Sequence, residues 1–227
     1  MKIILTGATG LIGSAVLQRL ISLPTITSII VLSRPELPTK HPKIQTIIIH
    51  DFLHGYSPDV LASIQGAEAC IWVLGSPTSG REVHHDMTMA ATKAFSENCV
   101  EQVGKDSGGS GGGQKAFRFV YTSGSLVVTD QNAQTWFMGD GRKMRGDVET
   151  KVIEMEKQQG GSWKSYIVRP SLVTTGEPIY KFLLGGNYIP KEELAATMVD
   201  LAVNGGDQQT LNNAELKQRG KDVLRQT

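Results

Sequence analysis

The chain has 227 residues, enough for one domain with a sizeable core and too few for two. Its 23 Lys and Arg residues nearly balance 22 Asp and Glu residues, and the net charge of +1 argues against nucleic acid or an anionic membrane as a partner. No apolar run reaches the length of a membrane span, and strand-like residues follow Met1 and Lys2 directly. We therefore expect a soluble, cytoplasmic protein without a targeting peptide.

Apolar strand-like runs alternate with helix-like stretches along the chain. Continuous hydrophobicity, which a parallel strand covered on both faces requires, occurs at Ile3–Leu5, Ile29–Leu32, Ile44–Ile49, Ala69–Leu74, Phe117–Tyr121 and Tyr166–Val168. Helical spacing of apolar residues predicts helices at Leu11–Ile21, Val83–Phe95, Met144–Met155, Lys191–Val203 and Asn213–Leu224, the last mostly polar and lying on the surface or against a partner. This order predicts a single α/β domain over residues 1–227, with a doubly wound sheet of six to seven mainly parallel strands and a small C-terminal helical segment.

A glycine turn joins the first strand to the first helix, in the sequence TGATGLIGS from Thr6 to Ser14. Gly7 allows a sharp turn, Gly10 leaves room for a pyrophosphate, and Gly13 lets the helix pack closely on its strand. Free N–H groups and the positive dipole end of the helix would then face the phosphates. The alternative is a tight turn without a ligand, but its place between a strand and a helix favours a dinucleotide site. The residues predicted to hold the dinucleotide here are Gly7, Thr9, Gly10, Leu11, Ile12 and Gly13.

The end of the second strand bears on the choice of dinucleotide. NAD enzymes of this architecture usually place an acid there, but this chain has Ser33 and Arg34. A guanidinium and a hydroxyl bind a 2′-phosphate through charge-assisted hydrogen bonds, whereas an acid repels it. NADP(H) is therefore favoured over NAD(H). The alternative is that Arg34 is a solvated loop residue, paired with Glu36.

Two further features of the composition are interpreted structurally. The segment 104–114, GKDSGGSGGGQ, is predicted to be a flexible connector between a helix and a strand; no GK[ST] follows it, which argues against a phosphate-binding role. Cys70 and Cys99 lie in apolar stretches without the close spacing of a metal or redox pair. We expect both to be buried thiols in a reducing compartment.

Motifs in this order resemble the atypical, epimerase-like branch of the short-chain dehydrogenase/reductase superfamily. The matching segments are TGATGLIG at 6–13, VLSRP at 31–35, HDF at 50–52, WVLGSP at 72–77, VYTSG at 120–124, VRPSLVTTGEP at 168–178 and IPKEELAATMVDLA at 189–202. The resemblance implies an NAD(P)-binding Rossmann fold in which residues 171–227 contribute the substrate side. It also implies cofactor contacts at Asp51, Phe52, Leu74, Gly75, Ser76, Pro170, Ser171 and Leu172. Asp51 is equally explained as a turn former after a strand.

The family's chemistry depends on a serine, a tyrosine and a lysine four residues after the tyrosine, and the resemblance places Ser123 as the serine that orients the substrate. Aligning Met144–Glu154 with the lysine-bearing helix puts Arg145 in the lysine position and Gly141 where the tyrosine belongs. No tyrosine lies between positions 121 and 166, so a shift of register does not restore it. Arg145 is predicted to hold cofactor ribose hydroxyls, although its permanent charge makes it no proton shuttle. The alternative is a helix-surface arginine near two acids, at positions 147 and 149.

Several residues are candidates for completing the site. Tyr180 and Tyr188 follow the sixth strand and could donate the missing proton, as could Ser123 through water; a tyrosine in such a place is more often explained by packing. Residues 136–138, Trp-Phe-Met, fit either an apolar pocket or the core. His84 and His85 are predicted to be solvated residues near a helix end, because a metal role needs further ligands at suitable spacing. No metal site is predicted.

The sequence thus favours an oxidoreductase: an NADP(H)-binding, short-chain reductase-like protein that acts on a small, largely apolar carbonyl or enone substrate. Two alternatives stay open. One is a catalytically degenerate dinucleotide-binding protein that senses redox state and works through a protein partner. The other is a non-redox isomerase or cyclase on the same scaffold. We expect a monomer or homodimer, with a small-molecule substrate that the sequence does not identify.

Overall fold

The computed structural model describes residues 1–76, 78–100, 116–135, 139–178, 182 and 184–226. Its strands are β1 (Lys2–Thr6), β2 (Ser28–Ser33), β3 (Ile44–Ile48), β4 (Ala69–Trp72), β5 (Phe117–Thr122), β6 (Trp163–Arg169), β7 (Leu172–Thr174), β8 (Tyr188–Pro190) and β9 (Thr210–Asn212). Its helices are α1 (Leu11–Ser22), α2 (Pro58–Ile64), α3 (Met87–Asn98), α4 (Gly139–Gln158), α5 (Lys191–Asn204) and α6 (Asn213–Arg225). A π-helical turn at Glu82–Asp86 leads into α3.

Within the described residues, seven strands form one sheet in the order β3-β2-β1-β4-β5-β6-β9. Every neighbouring pair in it is parallel. The chain moves outward from β1 through β2 to β3 and then returns to the other side of β1 with β4, so β1 and β4 flank the point where the winding direction reverses. The predicted doubly wound, parallel α/β fold is confirmed, and the reversal marks the edge at which such sheets bind ligands.

Hydrophobic clusters lie on both faces of the sheet. On one face, α1 and α5 pack on the strands through side chains such as Leu17, Leu20 and Met198. On the other, α2, α3 and α4 cover an aromatic group whose members are Phe52, Trp72, Phe95, Phe117, Phe119 and Trp163. Continuous apolar strands are what two covered faces require, because successive side chains point to opposite sides of a strand.

The C-terminal helices belong to the first of these layers. Eight apolar or small residues of α5 between Leu194 and Ala202 are buried or nearly so, and α6 packs on α5 through Leu216 and Gly220. A Cβ atom at Gly220 would lie 2.1 Å from the Glu193 carbonyl oxygen, so the two helices approach too closely for any larger residue. The mostly polar helix α6 therefore packs on α5 of its own chain through two buried residues, Leu216 and Gly220.

Four elements were absent from the sequence-based prediction: α2, β9 and the paired strands β7 and β8. All are short, and β9 buries only Leu211, so neither periodicity nor length separates them from loops. Cys70 and Cys99 are free and buried as predicted, and burial raises the pKa of the Cys99 thiol to about 12. The segments 104–114 and 136–138 lie outside the described residues.

The described helices include none that is long and apolar enough to cross a membrane. Nor do the described residues bring together three or more His, Cys, Asp or Glu side chains in a group suited to a metal ion.

Candidate functional site

The turn between β1 and α1 has the close contacts that its glycines permit. Gly7 has φ +67°, and a Cβ there would lie 2.3 Å from the Val73 carbonyl oxygen. A Cβ at Gly13 would lie 2.0 Å from the Gly7 carbonyl oxygen. Both glycines are therefore required by packing of the turn against β4 and of α1 against the turn.

Gly10 differs, because a Cβ there would meet nothing nearer than the Gly7 carbonyl oxygen at 3.4 Å. It is the N-cap of α1, with no side-chain cap and no acid in the first turn of the helix. The neighbouring Thr9 and Leu11 are exposed. The first N–H groups of α1 therefore face open space with the positive end of a twelve-residue helix behind them, which suits a pyrophosphate.

A cleft of about 420 Å³ begins beside this turn and runs along the carboxyl ends of the central strands. Its lining comes from the first turn of α1, from the ends of β4, β5 and β6 and the residues after them, from the π-helical turn and from α4: Ile12, Val73, Leu74, Gly75, Ser76, His84, Thr122, Ser123, Gly124, Ser125, Leu126, Arg145, Pro170, Ser171, Leu172 and Val173. The structure thus brings together the predicted residues Ser123 and Arg145, the β4 end and the segment after β6, whereas Ile12 is the one predicted residue of the glycine turn among the described residues that line the cleft. Of the described part of 171–227, Ser171, Leu172 and Val173 line the cleft.

Ser123 follows β5 at the centre of this cleft. Its backbone N–H donates a hydrogen bond to the Val168 carbonyl oxygen at 2.8 Å, which holds the residue against β6. Its Oγ is buried and has no hydrogen-bond partner among the described residues, and the same holds for Oγ1 of Thr122. Buried hydroxyls are nearly always paired, so an unpaired one in a cleft wall is a group suited to a ligand atom.

Arg145 reaches the cleft from α4 and contacts the ends of two strands. Its Nη2 donates to the Ser76 carbonyl oxygen at 3.2 Å, and its Nη1 lies 3.5 Å from where a Gly124 Cβ would be. The neighbouring acids are engaged elsewhere: Asp147 accepts from Lys151 at 2.9 Å, and Glu149 pairs with Arg169. The guanidinium therefore lies beside Ser76 and the Ser123 strand end.

The expectation that His84 and His85 are solvated is wrong, because each is only 7% exposed. His84 lines the cleft: its Nε2 lies 2.8 Å from the Ser76 carbonyl oxygen and 3.1 Å from Arg145 Nη2. Burial and the Arg145 charge lower the pKa of His84. The residues sit on the π-helical turn, whose packing against α3 and α4 was not visible in the sequence pattern.

His85 faces away into a separate group of charges. Its Nδ1 lies 2.6 Å from Asp86 Oδ1, and its Nε2 lies 2.8 Å from Lys151 Nζ and 3.3 Å from Asp147 Oδ2. A hydrogen bond from Lys151 holds the pKa of Asp147 below its usual value. The two adjacent histidines thus have different surroundings.

Gly141, which the motif comparison places where the family's tyrosine belongs, is exposed, with nothing within 4 Å of the place where its Cβ would be. Tyr180 lies outside the described residues. Tyr188 is buried, and its hydroxyl donates to Glu177 Oε2 at 2.6 Å, away from the residues that line the cleft. No tyrosine is among the described residues that line the cleft.

At the other end of the site, Ser33 is buried at the end of β2 and Arg34 is exposed beside it. The Arg34 Nη2 lies 3.8 Å from the Met87 sulfur, while Glu36 pairs with Lys40 at 3.7 Å. The guanidinium is thus accessible at the place where a 2′-phosphate is expected.

Asp51 forms its own turn after β3. Its Oδ1 accepts hydrogen bonds from the backbone N–H groups of Leu53 at 2.7 Å and His54 at 3.3 Å, and its Oδ2 lies 2.9 Å from His54 Nδ1. The hydrogen bond from the His54 side chain is the main cause of its lowered pKa. The side chain of Phe52 is fully buried against Trp72, so only its backbone is placed to meet a ligand.

Known proteins share the fold of this chain at low sequence identity. No protein-family model matches the chain. Leucinostatins biosynthesis cluster protein T of Purpureocillium lilacinum is 27% identical over 248 aligned residues, which cover 91% of this chain and 86% of that protein. Uronate dehydrogenase from Agrobacterium tumefaciens superposes with a TM-score of 0.64 at 12% identity, over 93% of this chain and 76% of its own. The dTDP-glucose 4,6-dehydratase from Bacillus anthracis, solved in complex with NAD, gives a TM-score of 0.64 at 12% identity and covers 100% of this chain and 82% of its own.

The strand order and these superpositions together define the fold. The chain has a parallel, seven-stranded Rossmann-type α/β fold, which it shares with the uronate dehydrogenase, the dehydratase and a UDP-glucose 4-epimerase from Thermotoga maritima. The resemblance predicted from the motifs is thereby confirmed at the level of the fold.

Proposed function

We propose that the protein is an NADP(H)-dependent reductase acting on a small, largely apolar carbonyl or enone compound. The observation that carries the proposal is the buried, unpaired hydroxyl of Ser123, which lies in a cleft continuous with the phosphate-binding turn. A nicotinamide dinucleotide that lies along such a cleft supplies a hydride to a neighbouring electrophilic carbon. The fold neighbours support this class of cofactor, since several were solved in complex with NAD.

The preference for NADP(H) rests on the end of β2. Arg34 is exposed there, and no acid stands at that strand end to repel a 2′-phosphate. The free N–H groups of α1 and the open space at Gly10 fit the pyrophosphate that both dinucleotides share. The distinction between them is thus assigned to the Arg34 side chain.

The substrate class follows from the cleft lining. Apolar side chains form much of its wall: Ile12, Val73, Leu74, Leu126, Pro170, Leu172 and Val173. The unpaired hydroxyls of Thr122 and Ser123 provide the polar contacts for a single carbonyl oxygen within this apolar wall. The relative from a biosynthesis cluster supports a role in the synthesis of a metabolite.

Each residue has a defined task in this scheme. The Ser123 hydroxyl donates a hydrogen bond to the substrate oxygen and holds the carbonyl carbon at the dinucleotide end of the cleft. Arg145 keeps the ends of β4 and β5 in place and offers N–H groups to cofactor hydroxyls. Loss of a positioned general acid typically lowers a rate by about 10²–10⁴, which slows reduction without abolishing it, since positioning supplies a comparable or larger factor.

The test is incubation of the purified protein with NADPH and a panel of apolar aldehydes, ketones and enones, with the reduced product identified by mass. We expect turnover of at least one compound class and its loss in Ser123→Ala. Ser63→Ala, which removes a hydroxyl from α2 that bonds only to the Asp59 carbonyl oxygen, is the matched control. Tight NADPH binding without turnover of any compound would contradict the reductase function.

That contrary result would favour the second candidate, a degenerate dinucleotide-binding protein that works through a partner. Its support is Gly141, which leaves the proton-donating position of the family empty. Association with the partner would then differ between NADP and NADPH. Association that is indifferent to the dinucleotide would contradict a sensor role.

A further inference from the structure

The His84 imidazole is built into the wall of the cleft that also contains Ser123 and Arg145. Its ring lies directly against Gly75, where a Cβ would be 2.8 Å from His84 Cε1. Gly75 has φ +114°, a conformation suited to glycine. The chain after β4 thus bends tightly at a residue without a side chain, and the imidazole occupies the space so created.

One nitrogen of this ring is fixed by the backbone. The His84 Nε2 lies 2.8 Å from the Ser76 carbonyl oxygen, which can only accept, and 3.1 Å from Arg145 Nη2, which can only donate. The shorter contact to the carbonyl oxygen assigns the proton to Nε2. Arg145 Nη2 donates to the same oxygen at 3.2 Å, so two donors share its two lone pairs. With the Nε2 proton held in this way, the lone pair of the neutral ring is on Nδ1.

Nδ1 is the nitrogen that this arrangement leaves available. Both hydrogen-bonding contacts of the ring with the described residues are made by Nε2, and Nδ1 lies beside Gly75, 3.1 Å from where a Cβ would be. The other described candidates for proton transfer are less suitable: Tyr121 is 1% exposed and lies behind the cleft wall, and the Tyr188 hydroxyl is bound to Glu177. Arg145 keeps its proton at every relevant pH.

We propose that His84, through Nδ1, is the proton donor and acceptor of this site and takes the part that Gly141 leaves unfilled. The inference rests on the proposed reductase function. The resting ring is neutral and first binds a proton from water at Nδ1. In reduction, the carbonyl carbon would gain the hydride, the C–O π pair would move to oxygen, and that oxygen would take this Nδ1 proton. The ring returns to its neutral form and is reprotonated by water, so the reaction consumes one NADPH and one proton for each alcohol formed. The reverse oxidation uses the neutral ring as the base.

The decisive variant is His84→Gln, whose side-chain amide can still donate to the Ser76 carbonyl oxygen but cannot carry a proton. We expect the rate of carbonyl reduction to fall about 10²-fold or more, the range for loss of a general acid, while the NADPH dissociation constant changes less than about threefold. The matched control is His85→Gln, since His85 is equally buried but faces Asp86, Asp147 and Lys151. It should retain the wild-type rate.

A measurement on the dinucleotide-free protein tests the tautomer independently of activity. Nitrogen NMR of histidine-labelled protein, with the His84 signal identified by its absence in His84→Gln, should show a protonated Nε2 and an unprotonated Nδ1 at neutral pH. A protonated Nδ1 would overturn the proposal.

The kinetic measurements separate the role of His84 from the reductase function itself. A rate in His84→Gln within threefold of wild type overturns the role of His84 and leaves the reductase function intact. If His84→Gln loses both rate and NADPH affinity, the proton-transfer role of His84 is overturned in favour of a role in cofactor binding. A wild-type protein that binds NADPH but reduces nothing overturns the reductase function, and with it this role of His84.

Discussion

Arg34 is the residue on which the proposed preference for NADP(H) over NAD(H) rests. It is exposed at the end of β2, and its guanidinium lies near the Met87 sulfur. In Arg34→Asp, a carboxylate replaces the phosphate-binding cation and repels the 2′-phosphate. We expect NADPH affinity to fall at least about tenfold relative to NADH, as measured by fluorescence titration of both dinucleotides.

The control for this variant is Lys40→Asp, which makes the same change of charge in the same loop at an exposed residue paired with Glu36. Its ratio of NADPH to NADH affinity should stay near that of wild type, because a charge well away from the phosphate is screened by salt. An unchanged ratio in Arg34→Asp itself would show that this side chain does not bind the 2′-phosphate.

Glu149 and Arg169 form an ion pair beneath the cleft. Glu149 is 1% exposed, and Arg169 Nε donates to its two oxygens at 3.0 and 3.2 Å. Glu149→Gln leaves the Arg169 charge without its counterion in a half-buried place. We expect the free energy of unfolding to fall by about 2–3 kcal/mol, measured by urea denaturation.

Glu36→Gln removes a carboxylate from the exposed pair with Lys40 and is the reference for that measurement. It should change the free energy of unfolding by less than about 0.5 kcal/mol, because exposed ion pairs contribute little. A cost for Glu149→Gln no larger than this would mean that the pair only breaks even against its desolvation.

Single residues differ in how far the sequence can place them. Gly141 and Arg145 follow from the spacing of the family motif, because a helix keeps residues four apart on one face. His84 does not follow from it. Its position in the cleft depends on the positive φ of Gly75 and on a π-helical turn, and neither has a periodic signature.

Among the elements, the β1–α1 turn allows packing and ligand binding to be separated. A Cβ at Gly13 would overlap the Gly7 carbonyl oxygen, whereas a Cβ at Gly10 would point into open space at the helix N-terminus. Gly10→Ala should therefore fold normally but weaken NADPH binding at least about tenfold, since its methyl group stands where the pyrophosphate must approach. Gly13→Ala should lower the free energy of unfolding by about 1–3 kcal/mol, the usual cost of overpacking.

Paired measurements distinguish the two effects. Thermal unfolding without dinucleotide reports the packing of the turn, and NADPH titration reports the phosphate site. If Gly10→Ala bound NADPH as wild type does, the pyrophosphate would not lie at the start of α1. Loss of stability in Gly10→Ala without NADPH would instead indicate that the glycine is needed for the turn alone.

The sequence predicts elements in proportion to how much apolar surface each one buries. The central strands and the long helices have continuous or periodic apolar residues and were identified. The start of α2 does have a readable signal, since Ser57 caps the helix and Pro58 begins it, but seven residues give too little periodicity to confirm it. β9 exists because β6 offers a free edge to pair with, which is a tertiary cause.

At the scale of the whole molecule, the sheet order places the parts of the site together. The reversal of winding between β1 and β4 brings the glycine turn against Val73, and the parallel strands then deliver Ser123 and Pro170 to the same edge. This much follows from alternating strands and helices, because parallel strands end on one side of a sheet. The contacts within the cleft, such as that between Arg145 and Ser76, depend on loop conformations that the pattern does not encode.

Because dinucleotide binding would join the turn, the β4 end and the β5 end, it should stabilise the entire fold. A ligand that binds only the folded state at a hundred times its dissociation constant adds about 2.7 kcal/mol. For a domain of this size that corresponds to a rise in the midpoint of thermal unfolding of roughly 5–10 °C. At equal concentrations, NADPH should raise the midpoint more than NADH, and Gly10→Ala should lose most of the effect. A midpoint that neither dinucleotide moves at millimolar concentration would exclude tight binding at this cleft.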